Sequence, residues 1–215
     1  MKLFLEKLNL NYNTMREKIE KLIEELENNK YVEITHCLVG KPIESELINM
    51  LLSMYKIDKI PDALFDFYQE MGIVEINWEY DLTKKGIKLF QEGESIISGT
   101  IKVFPVESLL MTYDNLRTEN FTEDELKDVE NFRVFDYNDD DITFGLFKSE
   151  NRIEEDLYYV KQEADGFSKP KINLQQYFDK MIESKGFFGW QYNMLFPETQ
   201  SNERMKHYLN QLFKN

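Results

Sequence analysis

Apolar residues recur along this chain with two different periods. From Thr14 to Asn28, Met15, Ile19, Leu22, Ile23 and Leu26 fall on one stripe of a 3.6-residue helix, with Glu and Lys covering the remainder. The stretch Ile43 to Tyr55 carries Leu47, Ile48, Leu51 and Leu52 in the same way. Pro61 then suits the first turn of a third helix, where its missing N–H has no partner to lose and its φ is already helical. Leu64, Phe65, Phe67, Tyr68 and Met71 gather on one side of it, and Gly72 is the natural stop. After Gly72 the period becomes two. Val74, Ile76, Trp78 and Tyr80 share one side of a strand and Glu75, Asn77 and Glu79 the other, the pattern of a half-buried antiparallel strand.

Further elements follow from local signals. The run YVEITHCLV, ending at Val39, reads as a strand, as does Thr100 to Phe104, while Gly86, Gly93 and Gly99 interrupt any long helix between. Thr122 and Glu125 form a capping box that starts a short helix, with a hydrophobic staple from Phe121 to Leu126. Phe132 to Tyr137 and Ile142 to Phe147, joined by Asn138-Asp139-Asp140-Asp141, read as a hairpin with a polar turn, and Leu157 to Lys161 adds the next strand. Asn173 caps another helix with Gln176 three residues on, Ile172 packing on Tyr177 and Gly186 beyond its end. Glu203 to Phe213 is a last amphipathic helix. Helices first, short strands in the middle and helices last predict an α+β fold with a central, mostly antiparallel sheet of about five or six strands. No Pro/Gly/Ser-rich linker divides the 215 residues, so one domain over 1–215 is expected.

The helix IPDALFDFYQEMG running into the tryptophan-bearing strand IVEINWEY resembles the SUKH superfamily, the fold of bacterial toxin-immunity proteins and of a fungal regulator of cell-wall synthesis. The segment KINLQQYFDKMIESKGFFGWQY, with its Y-F-D-x-M helix, is similar to the last helix of that group. The resemblance covers residues 43–192, leaving 1–42 and 197–215 as helical additions. Its motifs consist of core and turn residues, so they speak to fold more than to activity. It implies a non-enzymatic immunity protein that binds and neutralises a cognate toxin, often a nuclease or deaminase. The fungal relatives imply an alternative, an intracellular adaptor or scaffold with a partner that is not a toxin.

Charge narrows the partners. Forty carboxylates against 26 Lys and Arg give a formal charge of −14, which opposes binding to nucleic acid or an anionic membrane and suits a basic protein surface. Glu75 and Glu79 on the polar strand face and Asp139, Asp140 and Asp141 in the hairpin turn are the expected partner contacts. Cys37 is the only cysteine, so no intramolecular disulfide forms. The opening MKLFLEKLNLNYN lacks the apolar run and cleavage site of a signal peptide, and no apolar stretch approaches the ~20 residues of a membrane span. A cytoplasmic location is the expectation.

Catalytic and metal chemistry finds little support. Asp136 to Asp141 fails as an EF-hand, with Asp141 where a glycine is needed and Phe147 where a bidentate Glu belongs. Its aspartates read as turn formers instead. His36 and Cys37 are neighbours on a strand and point to opposite faces, so they read as a buried cysteine beside an incidental histidine rather than a base and nucleophile. His207 reads as solvent-facing, and Gly40-Lys41 lacks the rest of a phosphate loop. Phe187, Phe188, Trp190 and Tyr192 read as a core plug under the last helices. No catalytic residue, cofactor or metal ligand is assigned.

Overall fold

A computed structural model describes residues 14–84, 86–112, 116, 118, 120–138, 142–161 and 166–213, with the side chains of residues 137 and 138 left aside. The opening segment and Asp139, Asp140 and Asp141 lie outside the described residues. The order is α1 (Met15–Glu27), β1 (Val32–Val39), α2 (Ser45–Met54), α3 (Asp62–Glu70), β2 (Val74–Asp81), β3 (Ile96–Val103) and α4 (Val106–Leu110). There follow α5 (Glu123–Val129), β4 (Phe132–Asn138), β5 (Ile142–Ser149), β6 (Arg152–Lys161), β7 (Phe167–Ser168), α6 (Leu174–Glu183), α7 (Trp190–Leu195) and α8 (Gln200–Leu212).

The fold is α+β and its ladders are antiparallel, but the strands form two sheets, β1-β2-β3 and β4-β5-β6-β7, rather than one central sheet. Pro105 and α4 follow β3 directly and turn the chain away before β4 begins. What remains between β3 and β4 is a backbone bond from Phe104 N to the Phe135 carbonyl at 2.8 Å. The two sheets still share one buried cluster, because α3 and α6 meet between them with Phe67 stacked on Phe178 at 5.4 Å.

Local signals set the helix starts. Thr14, Thr122 and Asn173 each close a capping box, with Glu17, Glu125 and Gln176. The staple on α5 does not form: Leu126 is exposed, and Phe121 packs edge-on against Phe167 at 5.3 Å. On α2 the buried line is Ile48 and Leu52, while Leu47, Met50 and Met54 are 45%, 53% and 69% exposed, so the inward side is displaced from the one expected.

The two sheets differ in how they are covered. Ile142 through Leu146 of β5 are buried without alternation, the mark of a strand with packing on both faces. β2 alternates instead, its Val74, Ile76, Trp78 and Tyr80 fully inside and the residues between them not. Trp78 is the anchor of that inner face. Its indole lies across Gly99 on β3, where a Cβ would collide with the ring nitrogen, and its Nε1–H donates to the Lys185 carbonyl at 2.7 Å. The turn carrying Lys185 lies along the outer edge of β3, with Thr100 N donating to the Gly186 carbonyl at 2.6 Å and Phe188 N to Ser98 at 2.9 Å. Gly186 takes φ 66°, which a glycine adopts without strain.

The C-terminal helix α8 holds the long β2–β3 connection. Glu94 accepts from Tyr208 Oη, Arg204 Nε and the Gln91 backbone, Tyr208 Oη in turn accepts from Phe90 N at 2.9 Å, and Gln211 Oε1 accepts from Lys88 N at 2.9 Å. Partial burial opposes ionisation of Glu94, yet these donors together hold its carboxyl below the usual range.

Gly99→Ala is expected to destabilise the fold by about 1–3 kcal/mol by forcing Trp78 off its seat, measured as a lowered urea midpoint. Glu94→Gln is expected to destabilise by about 1–2 kcal/mol at neutral pH. Because the folded-state pKa is depressed, that contribution is present above the ordinary carboxylate range and lost as pH falls through the folded value. The deficit of the variant should therefore shrink below about pH 4 when urea curves are compared across pH.

Candidate functional site

The outward face of the first sheet follows from its register. Glu33 lies opposite Glu79, His36 opposite Asn77 and Leu38 opposite Glu75 across β1 and β2, and Ser98, Thr100 and Lys102 continue the three rows on β3. Glu75 is half-buried and paired, 3.4 Å from Lys102 Nζ and 3.9 Å from His36 Nε2. Glu79 is exposed and so is Glu33, and among the described residues neither has an ion-pair partner. Directly opposed like charges destabilise an antiparallel pair, so this row is an acidic spot, with Lys84 the cation on its rim. Beside it a notch of about 50 Å³ is lined by Tyr31, Glu33, Glu79, Asp81, Lys84 and Ile96. Asp81 is held below the usual carboxylate range by hydrogen bonds from the Thr83 hydroxyl and backbone N–H. In the next row the side-chain oxygen of Asn77 is buried with no donor among the described residues.

Among the described residues β1 pairs with β2 alone and is the outer strand of this sheet, with a register shift between Ile34 and His36. Bulges blunt an edge against indiscriminate pairing, and β1 carries one there beside the charged Glu33. Cys37 is exposed rather than buried: its register partner is Ile76, on the inner side, but at the edge strand the helices do not close over it. The thiol is pushed up by partial burial and then by the charge of Glu27, which leaves it poorly suited to act as a nucleophile.

The two expected clusters of carboxylates are thus treated differently. Glu75 and Glu79 do share the outward face, joined by Glu33, which the strand pattern alone could not place opposite Glu79. The expected contacts Asp139, Asp140 and Asp141 lie outside the described residues. Asp136, considered with them as a calcium ligand, points inward. It is 2% exposed and accepts from Tyr177 Oη and, at 3.3 Å, from Gln191 Nε2. Burial first, then the Asp136 charge, push the Tyr177 hydroxyl well above its ordinary value, so it stays a donor.

His207 is not simply solvent-facing. Its Nε2 lies 2.6 Å from the Lys88 carbonyl oxygen and its ring meets Phe90 edge-on at 5.5 Å, so it clamps the same connection as Glu94. Of the aromatic block, Phe187 and Trp190 are buried as expected, while Phe188 is 51% exposed. A cleft of about 680 Å³ opens where the C-terminal ends of α1 and α8 meet, with Tyr31, Ile87, Leu212 and Phe213 among its walls. Of its two cations, Lys185 is paired with Glu25 and lies 5.2 Å from the Phe213 ring centre, and Lys30 lies 4.4 Å from the Tyr31 ring centre.

Among the described residues no group of three or more His, Cys, Asp or Glu side chains is placed to hold a metal ion, and no helix is long and apolar enough to cross a membrane. No family model, curated protein or solved structure matches the chain.

Glu33→Gln and Glu79→Gln are each expected to stabilise the free protein by about 0.2–1 kcal/mol, read as a raised urea midpoint. The double variant should gain little beyond either single one, since the first substitution already removes the repulsion.

Proposed function

We propose that this chain is a non-enzymatic immunity protein that binds and neutralises a cognate bacterial toxin, setting the outward face of its first sheet against a basic surface of that toxin. The observation that carries the reading is the opposed pair Glu33 and Glu79, two exposed carboxylates that form no ion pair among the described residues. A Lys or Arg side chain from a partner placed there exchanges repulsion for attraction to both. Arg fits best, because its planar fork can meet carboxylates with two parallel bonds.

The surroundings support the same use. Leu38, 41% exposed opposite Glu75, adds an apolar contact. The formal charge of −14 favours steered encounter with a basic domain, and the SUKH-like helix and strand motifs supply the class of partner. Neutralisation needs no chemistry from this chain, since covering a basic, nucleic-acid-binding surface denies the toxin its substrate.

Affinity capture of the tagged chain from its native lysate, at low and high salt, tests this. A basic protein retained by the wild type is expected to be weakened about tenfold or more by Glu33→Lys with Glu79→Lys. The same two reversals at Glu123 and Asp124 on the exposed start of α5 should leave it bound. Equal retention by both double variants, or retention of an acidic partner, would exclude this face.

A further inference from the structure

On most surface helices the side turned away from the core is charged or polar, but α2 is apolar on both sides. Ile48 and Leu52 are buried, while Leu47, Met50 and Met54 are exposed and stand three and four residues apart, in one line along the outer surface. Leu51 is half-buried beside that line, and Asn49 and Ser53 flank it on the other side. No charged residue occurs from Leu47 to Tyr55, in a chain of which 31% is charged. At the start of the helix stand Glu44 and Glu46, with Lys41 four residues before it, and just past its end stand Lys56, Asp58 and Lys59. Asp58 accepts from Asn151 Nδ2, and Lys59 pairs with Asp62 at 3.1 Å. Glu44, Glu46 and Lys56 are exposed and have no ion pair among the described residues.

A continuous line of exposed apolar side chains marks a contact surface, where single scattered ones do not. Its lack of charge narrows what fits. A basic partner gains nothing from an uncharged stripe, and an anionic membrane repels a chain of charge −14 while meeting no basic side chain along the stripe. A second copy of the chain, itself acidic, approaches at least cost where carboxylates are absent, and the two ends of α2 complement each other. Laid antiparallel about a point between Met50 and Leu51, two such helices set Leu47 against Met54 of the other copy and Met50 beside its Leu51. Lys56 of each then faces Glu44 and Glu46 at the start of the other, where opposite charge and opposed helix dipoles both favour the pairing. A parallel pair would bring like charges together instead.

We propose that two copies of this chain associate through α2, antiparallel across a two-fold axis between Met50 and Leu51, with Leu47, Met50 and Met54 as the apolar seam and Lys56 against Glu46 at each end. An isologous contact of this kind closes on itself and yields a dimer. The proposal stands apart from the toxin-binding reading and from its outcome.

Sedimentation velocity of the full chain tests this. A seam built on one short helix falls below the ~800 Å² per partner of stable complexes, so the mass should rise from monomer toward dimer between about 10 and 500 µM. Met50→Glu, which sets two carboxylates beside the axis, is expected to weaken association about tenfold or more. Leu126→Glu, at an exposed leucine of α5, should leave it unchanged. Glu46→Lys should weaken it about threefold or more by opposing Lys56, and adding Lys56→Glu should restore it to within about twofold of the wild type. All of these positions are exposed, so the variants keep the fold. A chain that stays monomeric throughout would overturn the proposal and leave α2 to a different protein. A dimer that tolerates Met50→Glu, one weakened equally by Leu126→Glu, or one that the paired charge exchange fails to restore would overturn it as well.

Discussion

Trp78 donates its indole N–H to the carbonyl of Lys185, and the two halves of the chain are joined at that bond. The ring can lie where it does only because β3 offers Gly99 beneath it. Around it, Phe187 sits 6.4 Å away and Phe213 at 6.2 Å edge-on, so the turn after α6 and the end of α8 converge on one side chain of β2. A large aromatic buried with its polar atom satisfied contributes area and orientation together. Here the orientation matters more. It places the Lys185 turn along β3, and that turn in turn occupies the β3 edge.

With β3 covered and the β2–β3 connection clasped by Glu94, His207 and Gln211 to α8, the first sheet is left, among the described residues, with one free edge and one wet face. In the second sheet β5 is buried on both sides, while β6 keeps Arg152, Glu155 and Asp156 exposed. The carboxylates of the wet face therefore gather on β1 and β2, and the strand register sets Glu33 against Glu79. Such an opposition destabilises the free sheet, and the proposed cationic partner would relieve it. The C-terminal helix α8 does not enter that face. It braces the inner one.

How much of this was legible in the sequence depends on the range of the interaction. The caps at Thr122 and Asn173 are local and read correctly, while the capping box that Thr14 closes with Glu17 went unread, and the alternation of β2 identified both the buried Trp78 and the outward Glu75 and Glu79. The partner of Glu79 was not readable, because a cross-strand register joins residues far apart in sequence. The α2 stripe misled for a different reason: Leu47, Ile48, Leu51 and Leu52 make adjacent sides of the helix equally apolar, and only packing against α3 and α4 selects Ile48 and Leu52. Cys37 lies on the inward side by parity yet is exposed, since parity says nothing about whether a strand is at an edge. One sheet was expected where two form, because a short helix after Pro105 separates strands that pattern alone would have joined.

Zero-length carbodiimide coupling in the native lysate bears most directly on the sheet face, because it joins carboxylates only to amines already in contact with them. If that face takes the partner, crosslinked peptides containing Glu33 and the Glu75 to Glu79 segment should be found attached to lysines of one basic protein. Crosslinks confined to carboxylates elsewhere, with both of those peptides recovered unmodified, would contradict it.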